Sequence, residues 1–295
     1  MVWLVKNNFL ELCDELLNEN ENFENEKFYN LKKILKHEYT GKNDKLIVPI
    51  GICDDGEYVY MDLEEVSGIF ISGTTGTGKS VFLDTLIVSL MLKNTPEEIS
   101  FLMIDPKKVE LGEYNGISYI NLNNHYKKYA IYNSERGLKA LEFLLKIINE
   151  RTDFLVSSGC KSIKSYNLQN KEKMSHIFIF IDEASNILEM NDCEKILGKI
   201  LNVGRALGIH LILATNSNLK KLFTKRFISR FKYRMSFDLT DEEQALYAEI
   251  KGADILKEAG DSLIRCPGEI YYRFQTPFTK DDEIKRVSDK VGNRV

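Results

Sequence analysis

The sequence predicts an α/β fold: a mostly parallel sheet flanked by helices, preceded by a short N-terminal helical appendage. Three observations predict it. From Leu46 onward, short apolar runs alternate with segments of helical periodicity, the pattern of βαβ units covered on both faces. A glycine-rich turn, Gly73 to Ser80, joins one apolar run to one helical segment. A second run, Ile177 to Ile181, has no polar interruption and ends on two carboxylates, as expected of a strand buried on both faces.

In chain order, residues 1 to about 40 are acidic and asparagine-rich. Phe9, Leu12 and Leu16, then Phe28, Leu31 and Leu35, recur at helical spacing, which predicts two short amphipathic helices separated by Asn18 to Asn22. They read as a packing or solubilising arm, with a docking element for a partner protein or a neighbouring subunit as the alternative. Strands are expected over Gly68–Ser72, Ser100–Ile104, Ile177–Ile181, His210–Ala214 and Tyr233–Phe237. Helices are expected over Ser80–Lys93, Ser134–Ser157, Cys193–Leu207 and Asp241–Ile250. The longest helix has a serine at its start to cap it and Gly159 just past its end. Neither an internal repeat nor a low-complexity linker interrupts the pattern. Residues 1–45 are therefore taken as the appendage and 46–295 as the main domain.

Composition bounds the function less tightly. Of 295 residues, 43% are hydrophobic and 28% charged, which suits a soluble domain with a proper core. The net charge of -4 speaks neither for nor against a nucleic-acid partner. The five cysteines are odd in number and never form C-x-x-C, so reduced thiols are expected rather than a zinc knuckle or a disulfide framework. No run of 18 or more apolar residues encodes a membrane span. Met1 to Leu17 carries Glu11, Asp14 and Glu15 and lacks the pattern of a signal peptide, so a cytoplasmic location is expected.

The chemistry concentrates at Gly73-Thr74-Thr75-Gly76-Thr77-Gly78-Lys79-Ser80, which fits G-x-x-x-x-G-K-[ST] between a strand and a helix. The glycines let the backbone curl so that its N–H groups face phosphate oxygens, and the following helix adds its positive end. Lys79 is expected to reach the β- and γ-phosphates of ATP, and the Ser80 hydroxyl to bind Mg²⁺. Asp182 and Glu183 close the second apolar run at the C-terminal end of its strand, where open α/β sheets place ligands. Asp182 is expected to hold Mg²⁺, through water. Glu183 is placed to orient or deprotonate the attacking water, a role that a simple kinase does not need. A third run, Leu211 to Ala214, ends on Thr215 and Asn216. This pair either contacts the γ-phosphate and lytic water or simply enters a turn.

With these residues in place the chain resembles the motor domain of the FtsK/SpoIIIE DNA translocases from roughly Ile47 to its end. The P-loop carries part of the resemblance. Thr95 to Leu111, containing Met103-Ile-Asp-Pro-Lys107, is more specific. Tyr114-Asn-Gly116, Glu150-Arg151, Gly159 to Asn167, Asp182-Glu183, Arg205 to Thr215, Arg234 to Phe237 and Gly260 to Leu263 follow in order. The resemblance implies a RecA-like P-loop NTPase, a hexameric homo-oligomer, and double-stranded DNA in its channel. It also implies arginines that complete a neighbour's ATP site, which a head-to-tail ring permits. Arg205 and Arg234 occupy the arginine positions, with ordinary salt bridges as the alternative for each. Where the family continues Ala-Thr with Gln-Arg-Pro, this chain has Asn216-Ser217-Asn218; asparagine can hydrogen-bond as glutamine does but is shorter, which leaves the sensing geometry open. Neither a membrane-spanning region before the motor nor a winged-helix module after it is expected.

For DNA, the sequence offers Lys220 to Arg234, with seven basic residues and no acid. Without those seven, the chain's 40 basic residues fall to 33 against 44 acidic ones. Such segregation suits a phosphate-tracking surface. Lys220, Lys221, Lys225 and Arg226 are the candidate contacts; a solvated helix face or a dock for an acidic neighbour is the alternative. Phe223, Phe227 and Phe231, four apart, are expected in the core. Two other functions remain open at this level: a protein-translocating ATPase of the type VII secretion kind, which normally has several such domains and a membrane anchor, and an ATP-driven switch that moves nothing.

Overall fold

The structure is a computed structural model that describes residues 13–17, 29–38, 45–188, 190, 192–216, 218–239, 241–256 and 258–292. In chain order the elements are α1 (Leu31–Glu38), β1 (Ile47–Ile52), β2 (Tyr58–Asp62), β3 (Gly68–Ser72), α2 (Lys79–Lys93), β4 (Ile99–Ile104), α3 (Ser134–Ser157) and α4 (Ile163–Gln169). They continue with β5 (His176–Ile181), α5 (Ser185–Leu188), α6 (Cys193–Leu207), β6 (Ile209–Thr215), α7 (Leu219–Leu222), α8 (Lys225–Ile228) and β7 (Tyr233–Ser236). The last are α9 (Glu242–Tyr247), β8 (Asp261–Cys266), β9 (Ile270–Gln275) and α10 (Asp281–Val291).

These nine strands form one sheet in the order β2-β1-β9-β8-β7-β3-β6-β5-β4. β7, β3, β6, β5 and β4 run parallel, each joined to its neighbour in register. β8, β9, β1 and β2 extend the sheet antiparallel from β7. The five strands expected from sequence are the parallel five, to within a residue at each end. In the antiparallel half, β2, β8 and β9 escaped sequence reading because they show no run of buried apolar residues, while β1 is buried from Val48 to Ile52 but Pro49 and Gly51 interrupt its apolar pattern. β9 leaves Ile270, Tyr271 and Tyr272 exposed.

The pleat sorts β3 between two layers. Ile69 and Ile71 pack with Phe82, Leu86 and Leu90 of α2 and Ile284 and Val287 of α10. Phe70, on the other face, packs with residues of α3 and α6. The long helix over Ser134–Ser157 is as expected, but its cap is Asn133, whose side chain accepts the Arg136 N–H. The helix expected to reach Ile250 ends at Tyr247, because Glu249 turns into the left-handed region at φ 58.

The described part of the appendage belongs to the same core. Leu31 and Leu35 of α1, with Cys13, Leu16 and Leu17, are buried in the cluster that contains α2. Asp14 pairs with Lys32 and Lys36, Glu15 pairs with Lys290, and the Arg286 side chain donates to the Leu16 carbonyl at 3.1 Å. Phe9, Leu12 and Phe28 lie outside the described residues. All five cysteines are free thiols. Among the described residues no helix is long and apolar enough to cross a membrane.

Candidate nucleotide site

The P-loop leaves β3 at the C-terminal edge of the parallel sheet and is braced from two neighbouring strands. Thr74 donates its backbone N–H to the Asp238 carbonyl at 2.8 Å, just past β7. Gly260, which leads into β8, donates to the Thr77 carbonyl at 2.8 Å. Gly78 starts α2 at φ 114, and a Cβ there would stand 3.0 Å from the Gly260 nitrogen. Two glycines are thus needed where two backbones touch. Thr75 and Gly76 form the exposed crown. No side chain caps α2, so its first N–H groups remain available for an anion. Lys79 folds back onto the loop, donating from Nζ to the Thr74 carbonyl at 2.7 Å. Burial lowers its pKa, against the pull of Asp182 and Glu183.

β5 brings Asp182 and Glu183 to the same edge. β6 runs between β3 and β5, pairing Thr215 with Ser72 on one side and Leu213 with Ile181 on the other. Thr215 and Asn216 therefore emerge between the P-loop and the two carboxylates. Burial pushes Asp182 up to about 7, with Asp105 and Glu110 adding to the effect and Lys79 opposing it. This concentration of acid beside a phosphate cradle favours a bound cation. The hydroxyl and carboxylate oxygens of Ser80 and Asp182 are hard donors that suit Mg²⁺. Glu183 is 5% exposed, adopts φ 52 and pairs through Oε2 with Lys107 Nζ at 3.0 Å.

Sequence reasoning assigned no role to Lys107, nor to Asp105 and Tyr114, which hold its loop. All three lie in stretches that carry the family resemblance, and that was the available signal. Other matching residues prove structural. Buried Arg151 donates to the Leu207 carbonyl at 2.6 Å and closes the end of α6, and Asn167 staples a turn through two hydrogen bonds with the Met174 backbone.

The two candidate arginines differ. Arg205 is 60% exposed and pairs with Glu65 at 3.0 Å. It lies at the N-terminal edge of the parallel sheet, away from its own P-loop. Arg234 is only 4% exposed and pairs with Glu249 at 3.0 Å. As placed, it turns into its own subunit and toward no solvent. The basic segment forms α7 and α8 and the approach to β7. Beneath it Phe223 and Phe231 pack on Phe70, and Phe227 packs on both of them, as expected of core residues. Lys221 and Arg226 are exposed, Lys220 pairs with Glu243, and Lys225 stands 5.4 Å over the Tyr247 ring.

A family model described as the FtsK/SpoIIIE family matches residues 30–190. The chain is 30% identical to a DNA translocase FtsK of Clostridium acetobutylicum over 273 residues, covering 89% of this chain and 35% of that protein. It is 30% identical to the DNA translocase SftA of Bacillus subtilis, covering 85% of this chain and 27% of that protein. The chain thus spans about a third of the length of such relatives. Among solved structures it is similar to the cytoplasmic domain of the Thermomonospora curvata type VII secretion ATPase EccC (TM-score 0.70, 20% identity, 90% of this chain and 35% of that one). It is also similar to the pCW3 conjugation coupling protein TcpA, determined with ATPγS (TM-score 0.64, 19% identity, 93% of this chain and 74% of that one).

Proposed function

The chain belongs to the FtsK/SpoIIIE family, and on that premise we propose that it is an ATP-hydrolysing motor that binds and translocates double-stranded DNA as a hexameric ring. One observation carries the ATPase half of the reading: Lys79 and the Asp182-Glu183 pair converge on one sheet edge with only β6 between them. The backbone N–H groups of residues 73–80 and the end of α2 bind the phosphates, and Lys79 neutralises them. Ser80 and Asp182 would hold Mg²⁺, which supplies further charge neutralisation. Glu183 takes the proton of the attacking water, while Thr215 and Asn216 lie where the γ-phosphate is sensed.

DNA is preferred to a protein cargo because the sequence relatives are named as DNA translocases, whereas the fold is shared equally with a secretion ATPase and a conjugation protein. In this reading residues 46–295 are the motor, working in the cytoplasm, and residues 1–45 are an appendage bound to it. Arg205 serves a neighbour's site; its exposure and its distance from its own P-loop support that role. Arg234 would first have to leave Glu249.

The experiment is a pair of variants. Lys79→Ala should lose turnover and weaken nucleotide binding. Glu183→Gln keeps shape and should bind ATP normally while hydrolysis falls by roughly a hundredfold or more. Normal hydrolysis by Glu183→Gln would remove Glu183 from the reaction.

A further inference from the structure

We propose that Lys107 is a positioning residue for Glu183, holding its carboxylate at the phosphate site from a loop fixed to the P-loop helix. The inference rests on the reading of Glu183 as the group that activates water. Glu183 has a fixed backbone. The N–H of Asp182 donates to the Ile104 carbonyl at 3.0 Å and that of Ala184 to the Ala214 carbonyl at 3.1 Å. Between them Glu183 sits at φ 52, a conformation that costs a non-glycine residue energy and persists only where its surroundings impose it. The side chain is another matter, since a glutamate has three rotatable bonds. Here Lys107 Nζ meets Oε2 at 3.0 Å.

The loop that carries Lys107 is anchored at both ends. The buried Asp105 carboxylate accepts four backbone N–H groups: Oδ1 those of Lys107 and Lys108 at 3.1 and 2.9 Å, Oδ2 those of Glu110 and Leu111 at 3.1 and 3.2 Å. At the far end the Tyr114 hydroxyl donates to Asp84 Oδ1 at 2.7 Å. Asp84 lies on α2, the helix that begins at the P-loop. The loop therefore joins the helix that binds phosphate to the carboxylate that activates water. A shift of α2 on nucleotide binding would move Lys107 and, with it, Glu183.

The test compares Lys107→Met, Lys107→Arg, Glu183→Gln and the double variant Lys107→Met/Glu183→Gln. ATPγS binding and melting temperature are measured beside kcat and KM. Lys107→Met should lower kcat roughly tenfold or more, as expected of a misplaced catalytic group. KM and ATPγS affinity should stay within about threefold, and Lys107→Arg should recover most of the rate. Because Lys107 acts through Glu183, the double variant should be no slower than Glu183→Gln alone. An unchanged kcat in Lys107→Met overturns the proposal. So does a loss carried by KM and ATPγS affinity, which would make Lys107 a phosphate ligand, and so does a fully additive double variant. If Glu183→Gln itself turns over normally, it is the assignment of Glu183 that fails.

Discussion

The amide N–H of Gly260 meets the carbonyl of Thr77 at 2.8 Å, so the antiparallel half of the sheet holds the phosphate loop of the parallel half. Gly260 sits at φ 82, and a Cβ on it would fall 2.3 Å from Gln275 Nε2 and 2.9 Å from Thr276 Oγ1. Gly260→Ala should therefore destabilise the protein by about 1–3 kcal/mol, combining left-handed strain with the need to move β9. It should also weaken ATP binding, because the brace on Thr77 shifts. Thermal unfolding and ATPγS titration would check both; an unchanged affinity would show that the P-loop holds its shape without β8.

The buried histidines give a pH signature. His210 Nδ1 lies 2.6 Å from the Val66 carbonyl, and its Nε2 lies 3.0 Å from His176 Nδ1. Both bonds are satisfied if each ring is neutral, His210 donating to Val66 and accepting from His176. Burial lowers both pKa values, that of His210 to about 4. The folded pKa is thus below the unfolded one, so the stability from these rings is complete above about 6.5 and is lost as pH falls toward about 4. The unfolding midpoint should drop across that window, and the His210 ring signal in NMR should titrate near its lower end. A midpoint near 6.5 for that signal would contradict the neutral pair.

For the basic segment, neutralising Lys220, Lys221, Lys225 and Arg226 together should weaken binding to all DNA sequences about equally. The log–log dependence of affinity on salt should flatten by about 0.9 for each phosphate that is no longer neutralised. Basal ATP turnover should persist, since α7 and α8 carry none of the P-loop groups. A variant that stays assembled with an unchanged slope would exclude these four residues as phosphate ligands. A ring that falls apart would make the segment a docking surface.

How much of this was legible in the sequence follows from burial. β3, β5 and β6 are buried on both faces, so each reads as an unbroken apolar run, and the P-loop and Asp182-Glu183 stand out at their ends. β8 alternates half-buried and buried residues over its first four positions and β9 exposes its first four, and no local pattern told that Gly260 would touch Thr77, 183 positions earlier in the chain. Arg234 sits in a basic stretch, yet β7 carries it inward to Glu249, which lies beyond α9. Lys107 was hidden for the opposite reason: its partner Glu183 is 76 residues away, and only the parallel pairing of β4 with β5 brings them together.

The central claim is movement along DNA, and displacement of a third strand measures it most directly. A triplex-forming oligonucleotide is placed at increasing distances from the end of a linear duplex, and its release is followed after ATP is added. The account predicts release that requires ATP hydrolysis, is absent in Lys79→Ala and Glu183→Gln, and begins after a lag that lengthens with distance. DNA-stimulated ATP turnover without release at any distance would contradict translocation and leave a DNA-gated switch.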